Sequence, residues 1–166
     1  MLDQFQAAAE AVGSIVIRFP TSSEAAAYVR ETAGPVVASS DLPDEIRQEL
    51  SWLTFAPLEE YRDTRTGLSF ALAGVATTGS LLLELSDPVG RSATALPPVH
   101  MVFLRASSIV PDIQALSGTL NALLSSRSQC YLSFTTGPSR TADIERVLTI
   151  GVHGPKELHI LILEGD

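Results

Sequence analysis

Residues 99–104, VHMVFL, are apolar at nearly every position. A strand with one face in water alternates apolar and polar residues, whereas a run this continuous belongs to a strand covered on both faces, as in a parallel sheet with helices above and below it. The rest of the chain supplies those helices. Leu2, Phe5, Ala9 and Val12 recur at helical spacing and Gly13 is a natural stop, which predicts a helix over 2–12 leading into the strand SIVIRF. Thr21-Ser22-Ser23-Glu24 reads as a capping box for a helix over 22–32. PVVA at 35–38 has the length and branching of a buried strand, and Pro43 at a first helical position opens another short helix. LTFAP, GLSFAL and SLLLEL follow as strands, the last after the turn Thr77-Thr78-Gly79. Pro111 is expected to start a helix with a stripe of Ile113, Leu116, Leu120, Leu123 and Leu124, and CYLSF and LHILIL supply the last two strands. This alternation predicts an α/β fold, a three-layer αβα sandwich with helices on both faces of a mostly parallel sheet; the 64–105 block leaves room for antiparallel pairs. With 166 residues, no repeats and no linker-like segment, one domain over 1–166 is expected.

Charge and cysteine content narrow the function classes. The formal charge is -8, from acids spread along the chain, and no lysine or arginine cluster is present to follow a phosphate backbone, so nucleic acid is not an expected partner. No segment approaches the roughly 20 apolar residues that span a bilayer, and the amino terminus carries an acid where a signal peptide has a basic flank; a cytoplasmic protein without a membrane span is expected. The single cysteine, Cys130, excludes an internal disulfide and cannot supply the set of thiolates that holds an iron–sulfur cluster. Cys130 lies in a strand-like run with no base beside it, so it is read as a small hydrophobe and not as a nucleophile. If the process served is a redox one, the electrons travel on another molecule.

The stretch 136–163, TGPSRTADIERVLTIGVHGPKELHILIL, holds more chemistry than core filling needs. Ile144, Val147 and Leu148 have helical spacing. Gly137-Pro138 shape a turn before that helix, Ser139 or Thr141 can cap it, and its free amides with the planar donors of Arg140 form a candidate cradle for an anion. Asp143 stands in the same turn. Equally, the segment is a sound cap, with Asp143 complementing the dipole and Arg140 paired with Asp143 or Glu145. The following loop, Gly151-Val152-His153-Gly154-Pro155, carries more turn chemistry than a helix-to-strand connection requires, which favours a site. In that reading Gly137, Ser139, Arg140 and Thr141 hold the anion. Thr78, Gly79 and Ser80 close the other side, and His153 beside Gly154 is a candidate acid or base, no catalytic residue being assigned. His100 and His159 lie inside strands, where packed, hydrogen-bonded histidines are expected, and no histidine has a metal-ligand spacing. There is no G-x-S-x-G elbow and no dinucleotide or NTP fingerprint.

TTGSLLL (77–83), GRSATALPPVHMVFL (90–104) and GPSRTADIERVLTIGVHGPKELHILIL (137–163) together resemble the lactate-utilisation protein C family, the LUD domain. The resemblance covers most of 67–163 and is most specific in its last third; the first 60 residues match only in general layout. One departure is visible: Thr77 stands where the family usually has an acid. The resemblance implies a fold similar to the sugar-phosphate isomerase and coenzyme A transferase group. It also implies a part in oxidising L-lactate to pyruvate beside other lactate-utilisation proteins that carry the iron–sulfur clusters, with no cofactor in this chain. Two other readings stay open: a binding domain or enzyme acting alone on a carboxylate, sugar phosphate or coenzyme A ester, and a structural module whose motif only locks the last helix.

Overall fold

The computed structural model describes residues 1–40, 42–126, 129–141, 149–150 and 154–165. Six strands, β1 (Ile15–Phe19), β2 (Val36–Ser39), β3 (Thr54–Phe55), β4 (Thr66–Ala71), β7 (Val99–Arg105) and β12 (Glu157–Leu163), form a sheet in the order β1-β12-β7-β4-β2-β3, and every neighbouring pair is parallel. The continuous apolarity of β7 and β12 follows from this position. Met101, Phe103, Leu161 and Leu163 join the core beneath α2 (Ser22–Thr32) and α3 (Asp44–Glu49). Val102, Leu104, Ile160 and Ile162 join a second core on the opposite face, beneath α1 (Leu2–Ala11).

That second face is not covered by helices alone. A four-stranded sheet of β5 (Ala73–Val75), β6 (Ser80–Glu84), β8 (Ile109–Val110) and β9 (Leu132–Thr135), in the order β8-β5-β6-β9, packs there beside α1. Its β5-β6 and β6-β9 pairs are antiparallel. Leu81 and Leu83 of β6 point to α1 and the main sheet, while Leu82 faces outward to Leu116 and Leu120, so period-two alternation divides this strand between two cores. On the same face α4 (Pro88–Ala95) lies across β4 and β2, capped by the Asp87 side chain accepting from the Val89 amide at 2.9 Å, with Pro88 in its first turn. The molecule is thus a three-layer α/β sandwich with a mostly parallel central sheet. No helix among the described residues is long and apolar enough to cross a membrane.

The helix expected from Pro111 begins later. Asp112 accepts from the Ala115 amide at 3.0 Å and sets a 3₁₀ turn over Gln114–Leu116, after which α5 (Ser117–Ser126) is regular. The expected stripe is accordingly split: Leu116 is buried, whereas Ile113 and Leu124 are exposed. The cap half of the expected box is present, with the Thr21 hydroxyl accepting from the Glu24 amide at 3.2 Å. The helix expected around Ile144, Val147 and Leu148 lies outside the described residues; its flanks form an antiparallel pair, β10 (Arg140–Thr141) with β11 (Thr149–Ile150).

Candidate functional site

A cavity of about 460 Å³ opens on the second face, over the first residues of β7 and β12. One wall is α4, through Arg91 and Thr94. The opposite wall is β9 and the segment after it, from Ser133 to Arg140, and Gly154-Pro155 closes an end. Leu158 and His100 line the inner surface, both nearly inaccessible to water.

Its electrostatics run against those of the chain. The protein carries a formal charge of -8, yet the described residues lining this cavity include two arginines and no carboxylate. Arg91 is fixed from two sides: its guanidinium donates to the carbonyls of Leu85 (2.7 Å) and Ser86 (3.0 Å) and lies 5.1 Å from the Tyr131 ring centroid. Arg140 donates to the Val12 carbonyl at 2.6 Å, at the carboxyl end of α1. By contrast, a broader groove of about 580 Å³ at Gly34, Pro35 and Arg65 is also lined by Glu60 and Asp63. Charge therefore favours the first cavity over this groove for an anion.

The two loops singled out in the sequence meet here. The Ser139 amide donates to the Pro155 carbonyl at 2.8 Å, joining the Gly137–Arg140 segment to Gly154-Pro155. The Ser139 amide is used within the fold and Arg140 lies in the short strand β10, while the helix whose free amides the expected cradle needs lies outside the described residues. Asp143 and His153 lie outside the described residues, as does the side chain of Thr141.

Thr78, Gly79 and Ser80 approach the same segment by another route. Thr78 Oγ1 and Ser80 Oγ are 2.7 Å apart, and Ser80 Oγ is 2.7 Å from Thr136 Oγ1, giving a chain of three hydroxyls. Thr78 and Ser80 nevertheless line a separate, smaller cavity of about 180 Å³ with Thr77 and Asp112, on which Phe134 also borders. The glycines of the two motifs have packing roles. Gly79 has φ +66° and a Cβ there would lie 2.3 Å from the Ala9 amide nitrogen; Gly137 has φ +73° and its Cβ would lie 2.6 Å from the Val12 carbonyl. Both let a loop close onto the backbone of α1 and its end.

His100 and His159 are packed and hydrogen-bonded, as the sequence suggested. His159 lies between the Tyr28 hydroxyl (2.9 Å from Nδ1) and Glu157 (3.1 Å from Nε2). His100 has Nε2 2.7 Å from Ser69 Oγ, and burial pushes its imidazole down to about 4, so the ring is neutral near pH 7. Its place in the cavity was not foreseen, nor was that of Arg91. A signal for the second existed: Asp87-Pro88 is a helix start, and it places Arg91 one turn into α4. Cys130 is half-buried just before β9. Among the described residues, no three His, Cys, Asp or Glu side chains gather as a metal site.

Fold and cavity together define a three-layer α/β protein with an anion-suited cleft beside its parallel sheet. A family model described as the LUD domain matches residues 57–163, and the chain belongs to that family. It is 32% identical to Lactate utilization protein C of Bacillus subtilis over 108 residues, 63% of this chain and 45% of that protein. A protein of Neisseria meningitidis is 31% identical over 165 residues, 98% of this chain and 66% of the relative. YkgG of Escherichia coli is 29% identical over 131 residues, 74% of this chain and 57% of the relative. The chain thus spans about half to two thirds of the length of these curated relatives. In architecture it is similar to a DUF162 family protein from Deinococcus radiodurans, with a TM-score of 0.70 at 18% identity over 98% of this chain and 95% of that one.

Proposed function

We propose that this chain is a lactate-utilisation protein that holds a small carboxylate in the cavity between α4 and the 133–140 segment. It works as a subunit or accessory factor beside iron–sulfur proteins that carry the electrons of L-lactate oxidation to pyruvate. The observation that carries the reading is the local reversal of charge, two arginines and no carboxylate among the described lining residues of a chain at -8. Family membership and the lactate-utilisation names of relatives supply the substrate class. Oxidising lactate releases two electrons, and one cysteine cannot hold a cluster to receive them, so the acceptor is assigned to partner proteins.

A thermal-shift series tests the binding claim. Lactate or pyruvate at about 100 times its dissociation constant should stabilise the wild type by about 2.7 kcal/mol, raising the midpoint by roughly 5–10 °C, and Arg91→Gln should lose most of that shift. An equal shift with glycerol, or none with any acid, contradicts it. For the partner claim, affinity purification from the native cell should recover an iron–sulfur protein; isolation alone, with growth on lactate unchanged on deletion, counts against it. A second reading is favoured by size: about 460 Å³ is more than a three-carbon acid fills, as a site for a sugar phosphate or coenzyme A ester would be. Including those compounds in the same series separates the two.

A further inference from the structure

The inner surface of the cavity holds a polar group that the charge argument leaves unused. His100 is 2% exposed and lines the cavity, and its Nε2 is committed to Ser69, itself 1% exposed. Its other ring nitrogen has no partner among the described residues. A sealed, unpaired imidazole nitrogen is costly. His100 stands on the face of β7 that carries the cavity, in register with Leu158 on one side and Gly67 on the other.

The chemistry of this nitrogen differs from that of the arginines. A neutral imidazole brings no charge to clamp a carboxylate, but it offers one hydrogen bond, donated or accepted according to the tautomer that Ser69 holds. Where the Ser69 hydroxyl donates to Nε2, the proton is on Nδ1, and this N–H can donate to a hydroxyl or a keto oxygen. We propose that Nδ1 of His100 reads a hydroxyl or keto oxygen carried beside the carboxylate, and so selects 2-hydroxy or 2-oxo acids over the plain acid of the same length. The inference rests on the reading of this cavity as a carboxylate site and names the residue that would make it selective.

The test is titration calorimetry with lactate, pyruvate and propionate on the wild type and His100→Gln. The wild type should bind lactate or pyruvate at least about 10-fold more tightly than propionate, because a ligand without the oxygen leaves the buried nitrogen unpaired. His100→Gln should bring that ratio close to one with little change for propionate. A measurement on the unaltered protein stands beside it, in case the variant does not fold. With ¹⁵N-labelled imidazoles, saturating lactate should move the His100 Nδ1 resonance and saturating propionate should leave it in place. Equal affinities for the three acids in the wild type, or a His100 resonance indifferent to lactate, overturn the selective role while leaving the carboxylate site standing. Failure of all three acids to bind overturns the site and the inference together.

Discussion

His100 couples a buried side chain to pH. Its imidazole titrates near 4 in the fold against about 6.5 in the unfolded chain, so the unfolded state binds the extra proton between those values. The contribution, on the order of 3 kcal/mol, is fully present above pH 6.5 and is lost as pH falls through 4. Calorimetric scans from pH 7 to pH 4 should therefore show wild type losing midpoint temperature faster than His100→Gln. Parallel curves would mean that other groups control acid stability. A second single-residue prediction concerns Gly79, at φ +66° against the backbone of α1. Gly79→Ala combines a strained φ with an overlap against main chain that cannot rotate away, so a loss on the order of 1–3 kcal/mol or more is expected in urea unfolding. The motif Thr78-Gly79-Ser80 was legible in the sequence as a special turn. Its purpose was not, because the surface it closes on belongs to residues some 70 positions earlier.

At the scale of elements, local rules worked where the signal was local. The helix cap at Thr21, the stop at Gly13 and the two-sided strand at 99–104 are all read from neighbouring residues and are all present. What failed depended on competition with tertiary partners. The expected start at Pro111 yields to the Asp112 turn, and β5 and β8, three and two residues long, are held by the pairing of β5 with β6 and of β8 with β5. Arg140 shows the same reach beyond local sequence, since it lines the cavity from β10 and ties that strand to the end of α1 through the Val12 carbonyl. Its guanidinium is exposed and complements the carboxyl end of α1, so Arg140→Ala should cost roughly 0.5–1 kcal/mol and lower the thermal midpoint by about 1–4 °C. A loss of several kcal/mol would mean that this tie organises the whole face.

For the molecule as a whole, the sequence carried the fold class because strand and helix alternation is a pattern of order, not of distance. The sheet order β1-β12-β7-β4-β2-β3 could not be read that way, since it brings the last strand between the first and the seventh. The same crossing explains the site. It sets Pro155 and Leu158 beside His100 and α4, so the cavity combines a motif visible at 137–155 with Arg91 and His100, which no single window joins. The central claim is that this cavity, and not the mixed-charge groove at Gly34, Glu60 and Asp63, holds a carboxylate. The most direct measurement is chemical-shift mapping of the wild-type protein titrated with L-lactate, following backbone amides and the arginine Nε–H groups. Saturable shifts confined to Arg91, Thr94, Ser133–Gly137, Ser139, Arg140 and Gly154 are expected. Shifts centred on Gly34 and Arg65, or none up to saturating lactate, would contradict it.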